Sequence, residues 1–131
     1  MGKNVFKKWE PISELPTEVY LEGLHHDYEG FRLLLKGSGS HGKMLRITFD
    51  PALLYRNLDE GDYLYDEADY SQLETKEWSF FIIEKSDFLD WFQQVSQGIH
   101  RSQHIIHYAI YTPNDCVDIL SAYPPKVEWL N

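Results

Sequence analysis

Apolar and β-branched residues gather along this chain in short runs separated by turn formers, the pattern of strands. Three such runs occupy residues 18–26, 31–36 and 43–49. Asp27-Tyr28-Glu29-Gly30 separates the first two, and Gly37-Ser38-Gly39-Ser40-His41-Gly42 separates the next pair. Connections this short join antiparallel neighbours, so the first half predicts a β-meander. Pro51 lacks the N–H a ladder needs and closes the third strand.

Residues 78–84 form a compact apolar run that predicts a buried strand, and the period then changes. Ser86 is placed as an N-cap with Asp87 in the first turn. Phe88, Leu89, Phe92 and Val95 recur at helical spacing, and Gly98 stands where a left-handed residue ends a helix. Residues 105–112 and 116–123 predict two more strands across the turn Pro113-Asn114-Asp115, and 127–130 is a last short piece after Pro124-Pro125. The order βββ, excursion, β, α, ββ predicts an α+β fold. Its expected form is a largely antiparallel β-sheet with one main α-helix, about residues 86–97, packed on one face. No repeat or linker divides the chain, so residues 1–131 are read as a single domain.

Composition narrows the class. With 43% hydrophobic and 15% aromatic residues the chain lies far from the disordered regime, and 131 residues suffice for one core. Trp78, Phe80, Phe81, Phe88, Trp91 and Phe92 are expected mostly in that core, with Trp9 and Trp129 closing it near the two ends. The single Cys116 cannot form an internal disulfide. No apolar run follows the basic first residues as a signal peptide requires, and Met1-Gly2 lacks the Ser or Thr that myristoylation wants at position six. No stretch approaches the ~20 apolar residues that span a bilayer. A cytoplasmic location is expected. A formal charge of −9 repels phosphate backbones and anionic lipid and favours basic partners, so direct nucleic-acid binding is disfavoured and no membrane partner is expected.

The acidity is concentrated. Residues 59–77 hold eight acids against one base, with three tyrosines interleaved and few aliphatics. The segment reads as an exposed excursion or irregular helix. Tyrosine supplies rigid amphipathic contact area, so acid plus tyrosine predicts a docking face for something basic. Its candidate residues are Asp59, Glu60, Asp62, Tyr63, Tyr65, Asp66, Glu67, Asp69 and Tyr70.

Other candidate chemistry resolves to ordinary roles. His25-His26-Asp27 and His104-x-x-His107 resemble metal pairs, but strand residues one or three apart point to opposite faces, so no metal site is expected. Cys116 sits between Asp115 and Asp118, which raise a thiol pKa and disfavour a nucleophile. Ser38, Ser40 and His41 lie among glycines that cannot hold a triad, and the same loop lacks the spacing of a phosphate-binding turn, since Met44 follows Lys43. The carboxylates of residues 59–69 lack the calcium-loop pattern. No catalytic residue and no cofactor is expected. The alternatives kept open are a small-ligand-binding domain and a small hydrolase of unknown substrate.

The blocks Tyr55-Arg56-Asn57-Leu58-Asp59-Glu60-Gly61-Asp62, Trp78-Ser79-Phe80-Phe81-Ile82-Ile83-Glu84-Lys85-Ser86, His107-Tyr108-Ala109-Ile110-Tyr111-Thr112 and Val117-Asp118-Ile119-Leu120 form a pattern over about residues 53–123. It resembles the bacterial immunity proteins of polymorphic or contact-dependent toxin systems. The resemblance implies a non-enzymatic cytoplasmic inhibitor that binds a sibling toxin domain, often a basic nuclease, and blocks its active site or its approach to nucleic acid. It does not assign the contacting residues; those above rest on charge and aromatics.

Overall fold

The strand-forming runs assemble into two antiparallel sheets in the computed structural model, which describes residues 4–37, 43–62, 65–75 and 77–130. In chain order the elements are β1 (Val5–Lys8), β2 (Val19–Asp27), β3 (Gly30–Gly37), β4 (Met44–Phe49), β5 (Leu54–Asp59), a 3-10 turn (Glu60–Asp62), α1 (Glu67–Glu74), β6 (Phe80–Glu84), α2 (Asp87–Val95), β7 (Ile106–Tyr111), β8 (Asp115–Ser121) and β9 (Lys126–Leu130). One sheet has the order β2-β3-β4-β9 and the other β1-β6-β7-β8-β5.

The two sheets differ in how many faces they bury, and the sequence pattern follows from that. In β3 and β4 every second residue is buried: Phe31, Leu33 and Leu35 on one strand, Leu45, Ile47 and Phe49 on the other. This face meets Phe80, Tyr108, Ile110, Val117 and Ile119 of the five-stranded sheet, and together they form the main core. The opposite face of the five-stranded sheet is covered too. Phe6, Phe81, Ile83, Ala109, Tyr111 and Cys116 lie there with Leu73 of α1 packed against them, while Phe88 and Phe92 of α2 pack on Ile105 and Leu120. A strand covered on both sides has no solvent face to spare for polar residues, so β7 and β8 read as nearly continuous apolar runs. The result is three layers: helices, five-stranded sheet, four-stranded sheet.

The predicted β-meander is β2-β3-β4, and β4 stops two residues before Pro51. Ser86 caps α2 by accepting from Leu89 N–H at 2.9 Å, and Gly98 takes a φ of +76° after the helix. The expectation of one sheet under one main helix is revised: there are two sheets, and a second α-helix forms inside the acidic segment. Helix α1 carries little apolar periodicity, since Leu73 is its one large aliphatic residue. It is held instead by polar anchors. Asp66 Oδ1 accepts Asp69 N–H at 2.8 Å as the N-cap. The Gln72 side chain accepts from Phe6 N–H at 2.8 Å and donates to Asn4 O at 2.7 Å, pairing the edge of β1 as a neighbouring strand would. Strands β1 and β5 are short, largely polar edge strands. Trp9 reaches the main core, its ring 5.0 Å from that of Tyr108, and its carbonyl accepts the Trp78 indole N–H at 3.0 Å. Trp129 packs against the same core from β9. Among the described residues no helix is long and apolar enough to cross a membrane.

Candidate functional site

The helix-covered face of the five-stranded sheet carries a polar network that its apolar surroundings require to be complete. Asp118 of β8 lies directly opposite Arg56 of β5 and diagonally from His107 of β7. Its Oδ2 accepts Arg56 Nε–H at 2.8 Å. Its Oδ1 receives His107 Nε2 at 2.6 Å and the Tyr111 hydroxyl at 2.7 Å. A carboxylate accepts only, so the Nε2 proton points at Asp118. His107 Nδ1 then faces the Ser86 hydroxyl at 2.6 Å, while Ser86 Oγ accepts the helix-capping N–H of Leu89. Burial alone would raise the Asp118 carboxyl. The hydrogen bond from His107, the charges of His107 and Arg56, and the Tyr111 hydroxyl outweigh it and hold the pKa below the usual value.

Ser86, His107 and Asp118 have the connectivity of an acyl-transfer triad, but Ser86 is buried and serves as the cap of α2. The geometry ties α2 to the sheet through His107.

Above this network a groove of about 660 Å³ opens between α1 and α2. Leu54, Tyr65, Ile83, Phe88 and Trp91 give it apolar and aromatic walls; His107 and Arg56 reach it from the sheet. The Arg56 guanidinium lies 4.1 Å above the Phe88 ring. Asn4, Asp66, Asp69 and Asp87 form its polar end. Asn4 is the tie there: its Nδ2 donates to Asp69 Oδ2 at 3.0 Å, and its Oδ1 accepts Asp87 N–H at 2.7 Å. Burial raises the Asp69 carboxyl, as do the neighbouring Asp66 and Asp87, against the lowering effect of the Asn4 hydrogen bond.

The nine residues singled out from charge and aromatics divide. Asp59, Glu60, Asp62, Glu67 and Tyr70 are exposed along the end of β5, the 3-10 turn and α1. Tyr65 and Asp66 are half-buried on the groove wall, and Asp69 is buried. Tyr63 lies outside the described residues. The Tyr65 hydroxyl meets Cys116 Sγ at 3.1 Å. Burial, foremost, pushes the Cys116 thiol up to about 11; Asp118 and Asp115 add to the rise and the Tyr65 hydrogen bond opposes it. Among the described residues no group of three or more His, Cys, Asp or Glu is placed to hold a metal ion. Most of the tempting Gly37–Lys43 loop lies outside the described residues.

Sequence reasoning passed over Asn4, Arg56, Ser86, Trp91, His107 and Asp118 as members of one site. A signal existed for two of them: His107 and Asp118 interrupt otherwise apolar strands joined by a short turn, which places them near each other on one face. Against protein-family models, curated proteins and solved structures, the chain has no match.

Proposed function

We propose that this chain is a non-enzymatic cytoplasmic inhibitor, an immunity protein that binds and neutralises a cognate basic toxin domain through an acidic surface carrying tyrosines. The observation that carries the reading is the exposed acidic rim: Asp59, Glu60, Asp62 and Glu67 all face solvent beside the exposed Tyr70. These carboxylates stand in for the phosphates of a nuclease substrate, steering a basic domain to the rim. Tyrosine contacts then slow its release. The capping role of the buried Ser86 supports a structural part for the Ser86–His107–Asp118 chain, and the buried Cys116 with its raised thiol pKa supports an inert one.

The test is affinity capture from the native bacterium, with neighbouring genes read alongside the captured proteins. A basic toxin domain encoded next door is the expected result. Capture of no protein, with a small molecule retained on the purified chain, would move the groove between α1 and α2 to the centre of a ligand-binding reading.

A further inference from the structure

One carboxylate in the groove between α1 and α2 is incomplete. Asp69 is 4% exposed, yet among the described residues its Oδ1 has no hydrogen-bond partner. Its Oδ2 accepts the Asn4 amide at 3.0 Å. Asp66 stands beside it on the groove wall with one oxygen committed to the α1 cap. Arg56, which lines the groove, is bound to Asp118 and stacked over Phe88. On the α2 side Trp91 is 51% exposed, and exposed Val95 follows it one helical turn later. Carboxylates at one end and an open indole on a wall suit a cationic side chain, whose charge meets the acids and whose plane or stem lies on the ring.

On the strength of the inhibitor reading, we propose that this groove receives one arginine side chain of the basic partner protein. Its guanidinium sits against Asp66 and near the buried Asp69, and its stem lies along Trp91. Among the described residues the polar end is acidic and Arg56 is already matched by Asp118, so charge complementarity selects a cation. The apolar walls select arginine over lysine, because a planar, weakly hydrated guanidinium enters such a groove where a compact, strongly hydrated ammonium must stay wet. Asp69 acts through its field in a low-dielectric site, and Asp66 makes the direct contact. The exposed Val95 stands one turn beyond Trp91 at the end of α2.

The probe is the tripeptide acetyl-Gly-Arg-Gly-amide, titrated into the whole chain and followed by NMR, with its citrulline analogue as the neutral isostere. The arginine peptide should shift the Trp91 indole N–H and the resonances of Asp66 and Asp69, and the citrulline peptide should leave them in place. Asp69→Asn and Trp91→Ala should each weaken the peptide by about tenfold. Asp66→Asn removes a charge while its amide oxygen still caps α1, so it gives a third variant that keeps the fold. Equal shifts from the citrulline peptide, or shifts confined to residues 59–62 and 67, would overturn the proposal. A captured toxin domain that binds Asp69→Asn and Trp91→Ala as tightly as the wild type would overturn it too, while leaving the inhibitor reading intact. A groove that takes the arginine peptide in a chain that captures no basic protein would support the socket and remove the toxin.

Discussion

His107 and Asp118 face each other diagonally across the β7–β8 hairpin, Nε2 to Oδ1 at 2.6 Å, and both are buried. A carboxylate in such a place survives ionised only when donors compensate its burial, and here three donors come from two neighbouring strands, with a helix cap behind His107. Arg56 from β5, His107 and Tyr111 from β7, and Ser86 from the start of α2 are fixed relative to one another through this one side chain. The network therefore sets the floor of the groove and the angle at which α2 overhangs it.

Arg56→Met leaves an apolar side chain of similar length but removes the guanidinium that lies over Phe88 and strips Asp118 of its cation. A broken buried pair destabilises by ~3–5 kcal/mol, and because Arg56 is 37% exposed and His107 and Tyr111 still donate, about 2–3 kcal/mol is expected here. The pH dependence follows from the direction of the Asp118 shift. Its folded pKa lies below the unfolded value of about 3.9, so its contribution is full above that value and is lost as pH falls through the folded pKa. Urea unfolding at pH 7 and pH 3 measures both: the gap between wild type and variant should narrow in acid. An equal gap at the two pH values would show that Arg56 acts by packing alone.

Cys116 is buried beneath Tyr65 with its thiol raised to about 11, so at pH 8 only about a thousandth is thiolate. Labelling by an aromatic disulfide should proceed at the rate of opening of the fold and become immediate in 6 M guanidinium, a ~molar denaturant range that unfolds small domains. Rapid stoichiometric labelling of the native chain would sink the inert assignment and reopen a thiol chemistry.

Much of this fold was legible because the burial pattern is simple where it is strong. Strands β2 to β4, β6 to β9 and helix α2 with its Ser86 cap were each announced by apolar runs or helical spacing. What escaped was held by polar contacts between distant residues. Helix α1 has no apolar stripe to read, only Asp66 at its cap and Gln72 reaching to β1. Strands β1 and β5 occupy the two edges of their sheet, where one partner strand suffices and polar residues are tolerated. The same limit applies to the site. Charge located Asp66 and Asp69, but only the packing of α1 shows that Asp69 is buried and turned to a groove whose other wall is Trp91.

Asp69 is expected to lower stability where it stands. Its carboxyl is raised by burial and by Asp66 and Asp87, so the folded chain binds its proton more tightly than the unfolded chain does. No penalty exists below the unfolded pKa of about 3.9; it grows as pH rises to the folded pKa and is complete above it. Asp69→Asn removes the charge, retains an oxygen for the Asn4 amide and places a donor beside Asp66. Thermal or urea unfolding at pH 7 should show a gain of about 1 kcal/mol that disappears near pH 3. A loss at pH 7 would show that the carboxylate is satisfied. Combined with weaker arginine-peptide binding, a gain would mark a residue retained for binding at a cost in stability.

The exposed rim and the groove make separable kinetic predictions once a partner is in hand. Charges at the surface act over a Debye length of about 8 Å at 0.15 M salt and mainly speed encounter, whereas desolvated contacts mainly slow release. Replacing Asp59, Glu60, Asp62 and Glu67 by their amides removes four exposed charges with little effect on folding, since none is buried. Stopped-flow association with the captured toxin domain should then slow by about tenfold at 0.05 M salt and lose most of its salt dependence, with dissociation little changed. Trp91→Ala should do the reverse, leaving association nearly intact and speeding dissociation by about tenfold or more. Should the four-amide chain associate at the wild-type rate with the wild-type salt slope, the rim is not the steering surface, and the charge that draws the partner must lie elsewhere on this acidic chain.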